Sequence, residues 1–209
     1  PVVAVIGDGV LCEGLALEAL NHAAVEDVRL TIVLNDNGFA ISPGFGGIHE
    51  ALRGGAERAG ALFRALGLAY IGPVDGHDIA AMLVAFEDAR RAERVTLVHV
   101  QTEKGKGWPP AKDHPYRAHF SFPFDPRSGA LRDKPAGQSY AEVSAGVLAS
   151  EMERDPSIVA ITPSTIYATG LAPLFERFPG RCFDPGMEEQ HALTLSVGLA
   201  LEGKKPVVA

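Results

Sequence analysis

The strongest constraint on this chain is an alternation. Short apolar runs rich in β-branched residues take turns with longer stretches whose apolar positions recur every three or four residues. Val2 to Ile6, Leu30 to Leu34, Ala69 to Ile71, Thr96 to Gln101 and Ile158 to Ile161 have the length and composition of buried strands. Between them, helices are expected over about Glu13 to Ala24, Ala61 to Leu66, Ile79 to Arg91, Tyr140 to Met152, Leu171 to Phe178 and Ala192 to Leu201. Asp78 stands where a side chain caps the third fully apolar-striped stretch. A fully buried strand followed by a helix and another buried strand needs a crossover, so the fold expected is α/β, with doubly wound, mostly parallel sheets.

Length and texture divide that pattern. A chain of 209 residues is one large domain or about one and a half. From about 104 to 137 the sequence is rich in Pro, Gly and charge without a period, as in a linker. We therefore expect residues 1–137 to hold one domain with its linker, and 138–209 to begin a second. The chain starts and stops in apolar runs, at Pro1-Val2 and at Pro206-Val207-Val208, so a piece of a longer protein is expected. Ser42 to Gly60 is glycine-rich and reads as irregular.

Composition removes several functions. Hydrophobic residues make up 46% and charged residues 22%, the balance of a chain that folds around a core. A net charge of -7 argues against a general binder of nucleic acid or anionic membranes. No run nears a membrane span, and the start lacks a signal peptide's organisation, so a cytoplasmic protein is expected. Cys12 and Cys182 are too few for a disulfide framework and are expected to be reduced thiols.

Two constellations carry chemistry. Gly7-Asp8-Gly9 ends the first strand and Asn35-Asp36-Asn37 ends the second. In a parallel sheet both turns leave the carboxyl edge, where open α/β sheets bind ligands. Asp8 and Asn37 are hard oxygen donors suited to Mg²⁺ or Ca²⁺, and the Gly9 and Val10 amides at a helix start can meet phosphate oxygens. The ordinary alternative is two turns built from standard turn residues. The second constellation is Met187-Glu188-Glu189-Gln190-His191 ahead of a small-residue helix. The residues alone do not choose between Glu188 and Glu189, and acidic residues at a helix start also serve simply to offset its dipole.

Longer strings add a resemblance. Gly7-Asp8-Gly9-Val10-Leu11 running into Gly14 to Asn21, then Leu34-Asn35-Asp36-Asn37, is similar to the thiamine diphosphate enzymes of the transketolase superfamily. Tyr70 to Asp78 (Tyr-Ile-Gly-Pro-Val-Asp-Gly-His-Asp), Lys104-Gly105-Lys106-Gly107, Thr162-Pro163, Arg177-Phe178-Pro179, Glu189-Gln190-His191-Ala192 and Lys205 to Ala209 resemble, in order, its 1-deoxy-D-xylulose-5-phosphate synthase family. The resemblance implies a thiamine diphosphate-binding fold and a homodimer. It also implies Mg²⁺ held by Asp8, Asn37 and the Phe39 carbonyl, with the Gly9 and Val10 amides and Lys104 at the cofactor's diphosphate. Glu189 becomes the catalytic carboxylate, hydrogen-bonded to the aminopyrimidine ring and promoting loss of the thiazolium C2 proton. His119 matches a histidine near the reaction centre, Trp108 stands where the family has a cofactor-contacting Tyr, and His77 is expected to be structural.

The reaction implied joins pyruvate, with loss of CO₂, to glyceraldehyde 3-phosphate in isoprenoid biosynthesis. Alternatives are a divergent transketolase-like enzyme with another donor or acceptor, and a non-catalytic module that keeps the fold. Departures from the family are Cys12-Glu13, Gly38-Phe39, the uncharged loop Ser164 to Thr169, and a connection from Ser42 to Tyr70 much shorter than usual. The family's remaining cofactor and substrate residues fall outside these 209 residues, so the chain by itself is not expected to turn over.

Overall fold

The computed structural model describes residues 2–26, 28–113, 119, 122–132 and 137–209. The chain forms two compact units, residues 1–104 and 105–209.

The first unit is a four-stranded, all-parallel sheet in the order β1-β2-β4-β3, built from β1 (Val2–Gly7), β2 (Leu30–Asp36), β3 (Ala69–Asp75) and β4 (Thr96–Gln101). Its helices are α1 (Gly14–Ala23), α2 (Gly47–Arg53), α3 (Gly55–Ala65) and α4 (Ile79–Arg91). Strand alternation sorts the core into two layers. Ile32, Leu34 and Leu97 point to one face, where they pack with Leu20, Leu52, Ala59 and Phe63 of α1, α2 and α3. Val33, Val98 and Val100 point to the other and pack with Ala85 and Ala89 of α4. Helices therefore cover both faces, which is why the two inner strands are largely buried. The Asp78 carboxylate accepts the Ala81 N–H at 3.1 Å and caps α4 as expected.

Two segments of the first unit differ from the sequence reading. Residues 72–75, expected in a loop, continue β3: pairing with β4 lapses after Ile71 and resumes at Val74 opposite Val100. Pro73 has no N–H to give the ladder, and Gly72, at φ +125°, sits so close to the His99 carbonyl that a Cβ would lie 2.5 Å from it. The glycine-rich stretch 42–60 holds α2 and the start of α3. Glycine disfavours helix locally, but Leu52, Ala59 and Phe63 are buried from these helices, and that packing overrides propensity.

The second unit holds α5 (Pro110–Asp113), α6 (Tyr140–Arg154), β5 (Ile158–Ile161), α7 (Ala172–Arg177), β6 (Cys182–Phe183), α8 (Glu189–Leu201) and β7 (Lys205–Val208). Its three strands are parallel, in the order β6-β5-β7. The Ser139 hydroxyl accepts the Glu142 N–H while the Glu142 carboxylate accepts the Ser139 N–H, a reciprocal cap that starts α6. Ala145, Met152, Ala160, Leu171, Leu174 and Cys182 form its core. No helix among the described residues is long and apolar enough to cross a membrane.

Candidate functional site

The carboxyl edge of the first unit's sheet brings Asp8, Gly9, Val10, Asn37, Phe39 and Lys104 into one neighbourhood. Gly7 pairs with Asn35, and the Asp8 amide donates to the Asn35 carbonyl at 3.2 Å, so the turns after β1 and β2 leave the sheet side by side. After Asp8 the chain makes a short 3-10 turn, Val10–Cys12, in which the Gly9 carbonyl accepts from Cys12 and the Val10 carbonyl from Glu13. Beyond Asn37, whose amide oxygen accepts the Phe39 N–H at 3.0 Å, the backbone folds back through a Phe39–Pro43 bridge.

Asp8 is 1% exposed, and neither of its carboxylate oxygens accepts a hydrogen bond of ordinary geometry. Burial, then the neighbouring Asp36 charge, push its pKa up to about 6; the amides of Asp8, Asn37 and Gly38 hold part of that rise back. A buried carboxylate with no well-formed hydrogen bond is expensive unless a cation arrives. That is the property expected of a ligand to a hard divalent ion, and Mg²⁺ commonly takes only one or two protein carboxylates, with phosphate and water completing its shell. The absence of any cluster of three His, Cys, Asp or Glu side chains among the described residues is compatible with that donor set. Burial also lowers the Lys104 pKa, countered by the Asp8 charge, and its ammonium donates to the Ala40 carbonyl at 2.8 Å.

Sequence reasoning missed three side chains here. Asp36 is spoken for at both oxygens: Oδ2 pairs with His99 Nε2 at 2.8 Å and Oδ1 accepts the Gly38 N–H at 3.2 Å. His99 is fully buried, and its Nδ1 meets the Tyr70 hydroxyl at 2.8 Å. This relay crosses β2, β4 and β3, keeps Asp36 low in pKa through the His99 contact despite burial, and leaves Asp8 as the carboxylate with open oxygens. His99 lies two residues after Leu97 and so on the same core-facing side of β4, and a polar residue at that position was the signal available in sequence. His49, on α2, is the third: it is 4% exposed and its Nδ1 lies 3.7 Å from Asp8 Oδ2.

The other candidates lie in the second unit. Glu189 is the first residue of α8 and is exposed, and Glu188 precedes it as the cap position. The Asp184 carboxylate accepts the N–H groups of Ser164 and Gly186 at 2.7 and 2.9 Å, which shapes the approach to α8. Ser164 itself is at φ +59° and buried, and the hydroxyls of Thr162 and Thr165 bond to each other at 2.8 Å. Trp108 packs on Phe124 with ring centroids 4.9 Å apart and donates its indole N–H to the Pro126 carbonyl at 2.7 Å. His119 is exposed. In the first unit, His77 accepts the Glu103 N–H at 2.9 Å, a structural contact.

Comparison with known proteins agrees with these strings. A family model described as 1-deoxy-D-xylulose-5-phosphate synthase matches residues 1–60 and 53–102, and one described as transketolase, pyrimidine binding domain, matches 136–209. A protein named 1-deoxy-D-xylulose-5-phosphate synthase from Myxococcus xanthus is 45% identical over 208 residues, covering 99% of this chain and 35% of that protein. Proteins of the same name from Desulforudis audaxviator and Magnetococcus marinus are 42% and 39% identical, covering 100% and 99% of this chain and 39% and 40% of theirs. The chain thus spans little more than a third of the length of these relatives. The alignment with the Desulforudis protein runs over 248 positions; subtracting the 209 residues of this chain leaves at least 39 without a counterpart here. The Myxococcus protein needs no such gap. The two stretches of the first family model overlap at 53–60, the junction of α2 and α3, which is where the short connection falls.

Proposed function

The chain belongs to the 1-deoxy-D-xylulose-5-phosphate synthase family, and from that premise we propose that it carries part of the active site of such a synthase. The reaction is the condensation of pyruvate, with loss of CO₂, with glyceraldehyde 3-phosphate to give 1-deoxy-D-xylulose 5-phosphate for isoprenoid synthesis. The observation that carries this reading is Asp8, a buried carboxylate with both oxygens unbonded at the carboxyl edge of a parallel sheet.

Asp8, the Asn37 amide oxygen and the Phe39 carbonyl hold Mg²⁺, and the Gly9 and Val10 amides meet the diphosphate. Lys104 offsets diphosphate charge. Thiamine diphosphate, when bound, supplies the electron sink that lets a 2-oxo acid lose CO₂ and its remaining carbons join an aldehyde. Glu189 holds a proton at the aminopyrimidine ring, His119 serves near the reacting carbons, and Trp108 lends an apolar wall with its indole N–H already used. Residues 1–137 form the diphosphate and metal part with the linker, and 138–209 begin the pyrimidine-binding domain; the second family match supports that division. The protein works as a homodimer in the cytoplasm. A different acceptor is the second reading, favoured by one observation: the loop from Ser164 to Thr169 has no charged side chain, and its Thr165 hydroxyl is bonded to Thr162.

The test is CO₂ release from pyruvate by the complete protein with thiamine diphosphate and Mg²⁺, with and without glyceraldehyde 3-phosphate. Release that depends on the aldehyde, yields deoxyxylulose phosphate and drops at least a hundredfold in Glu189→Gln is the expected result. Cofactor binding without use of pyruvate would reject the synthase reading, and release with another aldehyde only would favour the second.

A further inference from the structure

We propose that His49 is a positioning residue for Asp8: its buried imidazole, carried on α2, fixes the direction of the carboxylate and thereby sets the affinity of the site for a divalent cation. This rests on the metal reading above. Four observations point the same way. His49 Nδ1 lies 3.7 Å from Oδ2 of a carboxylate that has no hydrogen bond of its own, and both residues are almost wholly buried. Gly44 leaves the ring its place: a Cβ there would sit 2.4 Å from His49 Nδ1 and 2.5 Å from its Cε1, although Gly44 has an ordinary φ that alanine can adopt. The Gly44 amide donates to the Gly38 carbonyl at 2.8 Å, so the residue that makes room for the ring is tied to the turn bearing Asn37. Arg53, at the other end of α2, donates to the Gly44 carbonyl at 2.5 Å and to Glu50 at 2.7 Å, which staples the helix onto that loop.

The physical reason is that a ligand carboxylate held by nothing but a metal must be oriented as the metal binds, whereas one faced by a fixed polar ring is oriented beforehand. Groups that hydrogen-bond to a ligand and not to the ion typically change metal affinity ten- to a hundredfold when removed, and His49 Nδ1, 3.7 Å from Oδ2, stands just outside that distance. The segment between β2 and β3 is closed by two helices, α2 and α3, whose buried residues include His49, Leu52 and Phe63.

The experiment titrates the complete protein, with thiamine diphosphate present, with Mn²⁺ followed by the electron paramagnetic resonance of the free ion. His49→Phe, which keeps a ring and loses its nitrogens, is expected to bind Mn²⁺ at least tenfold more weakly, and His49→Gln to fall between it and the parent. Metal-free melting temperatures are measured alongside, because a merely structural histidine would lower melting and leave the dissociation constant alone. Unchanged Mn²⁺ affinity in His49→Phe, with Asp8→Asn abolishing binding, overturns the role of His49 and leaves the metal reading standing. Unchanged affinity in Asp8→Asn overturns the metal reading itself. Should His49→Phe fail to fold, Gly44→Ala serves: it is expected to weaken Mn²⁺ binding in the parent and to have no further effect in a His49→Ala background. Equal effects in both backgrounds would reject the proposal.

Discussion

At the residue scale the site turns on one uncompensated charge. Asp8 is buried with no hydrogen bond to either carboxylate oxygen, and Asp36, His49 and Lys104 are the titratable groups facing it. Its carboxyl group titrates at about 6 in the fold against an ordinary 3.8. The metal-free native state therefore holds a proton between roughly pH 4 and 6 that the unfolded chain does not, so this residue's contribution to stability improves as pH falls from 7 and levels off below about 4. We expect Asp8→Asn to raise the metal-free melting temperature at pH 7 by a few degrees, and the advantage over the parent to shrink by pH 5; a lower melting temperature in the variant at pH 7 would contradict this. The same proton competes with the ion, so Mn²⁺ affinity should weaken roughly tenfold per pH unit below 6.

Elements position that charge. The Tyr70–His99–Asp36 relay ties β3, β4 and β2 together, and behind it Phe63 of α3 stacks on the Tyr70 ring at 5.8 Å with an interplanar angle of 10°. Phe63 is 1% exposed, so Phe63→Ala should cost about 3–5 kcal/mol, read as a shift in the urea midpoint. His99→Leu should be as severe by a different route, because it strands Asp36 without its buried partner; denaturation showing a loss below about 1 kcal/mol would mean Asp36 finds water instead. What the sequence displayed of these elements was uneven. The strands, and the amphipathic helix with its Asp78 cap, were legible because period and capping chemistry are local signals. The helices of 47–65 were not, because glycine composition argues against helix and only burial of Leu52, Ala59 and Phe63 argues for it. The break at Gly72-Pro73 was visible as punctuation, but that the strand resumes beyond it depends on β4 lying alongside.

At the scale of the whole molecule, ligand linkage is the test. A cofactor and ion that bind only the folded state raise its stability by about 2.7 kcal/mol at a hundredfold excess over the dissociation constant. Thiamine diphosphate and Mg²⁺ together should therefore raise the melting temperature of the complete protein by several degrees, with loss of the shift on adding a chelator. A shift from thiamine diphosphate alone, insensitive to chelator, would count against Asp8 as a metal ligand. Two things were determined by the sequence alone: a parallel α/β order, because buried runs alternate with amphipathic ones, and the pairing of Asp8 with Asn37, because turns ending neighbouring parallel strands must share an edge. Tertiary structure decided which carboxylate stays open. Asp8 and Asp36 are the same residue type, each at the end of a strand, and it is the buried imidazole of His99, brought by β4 from 63 residues away, that occupies one and leaves the other without a hydrogen bond to either oxygen.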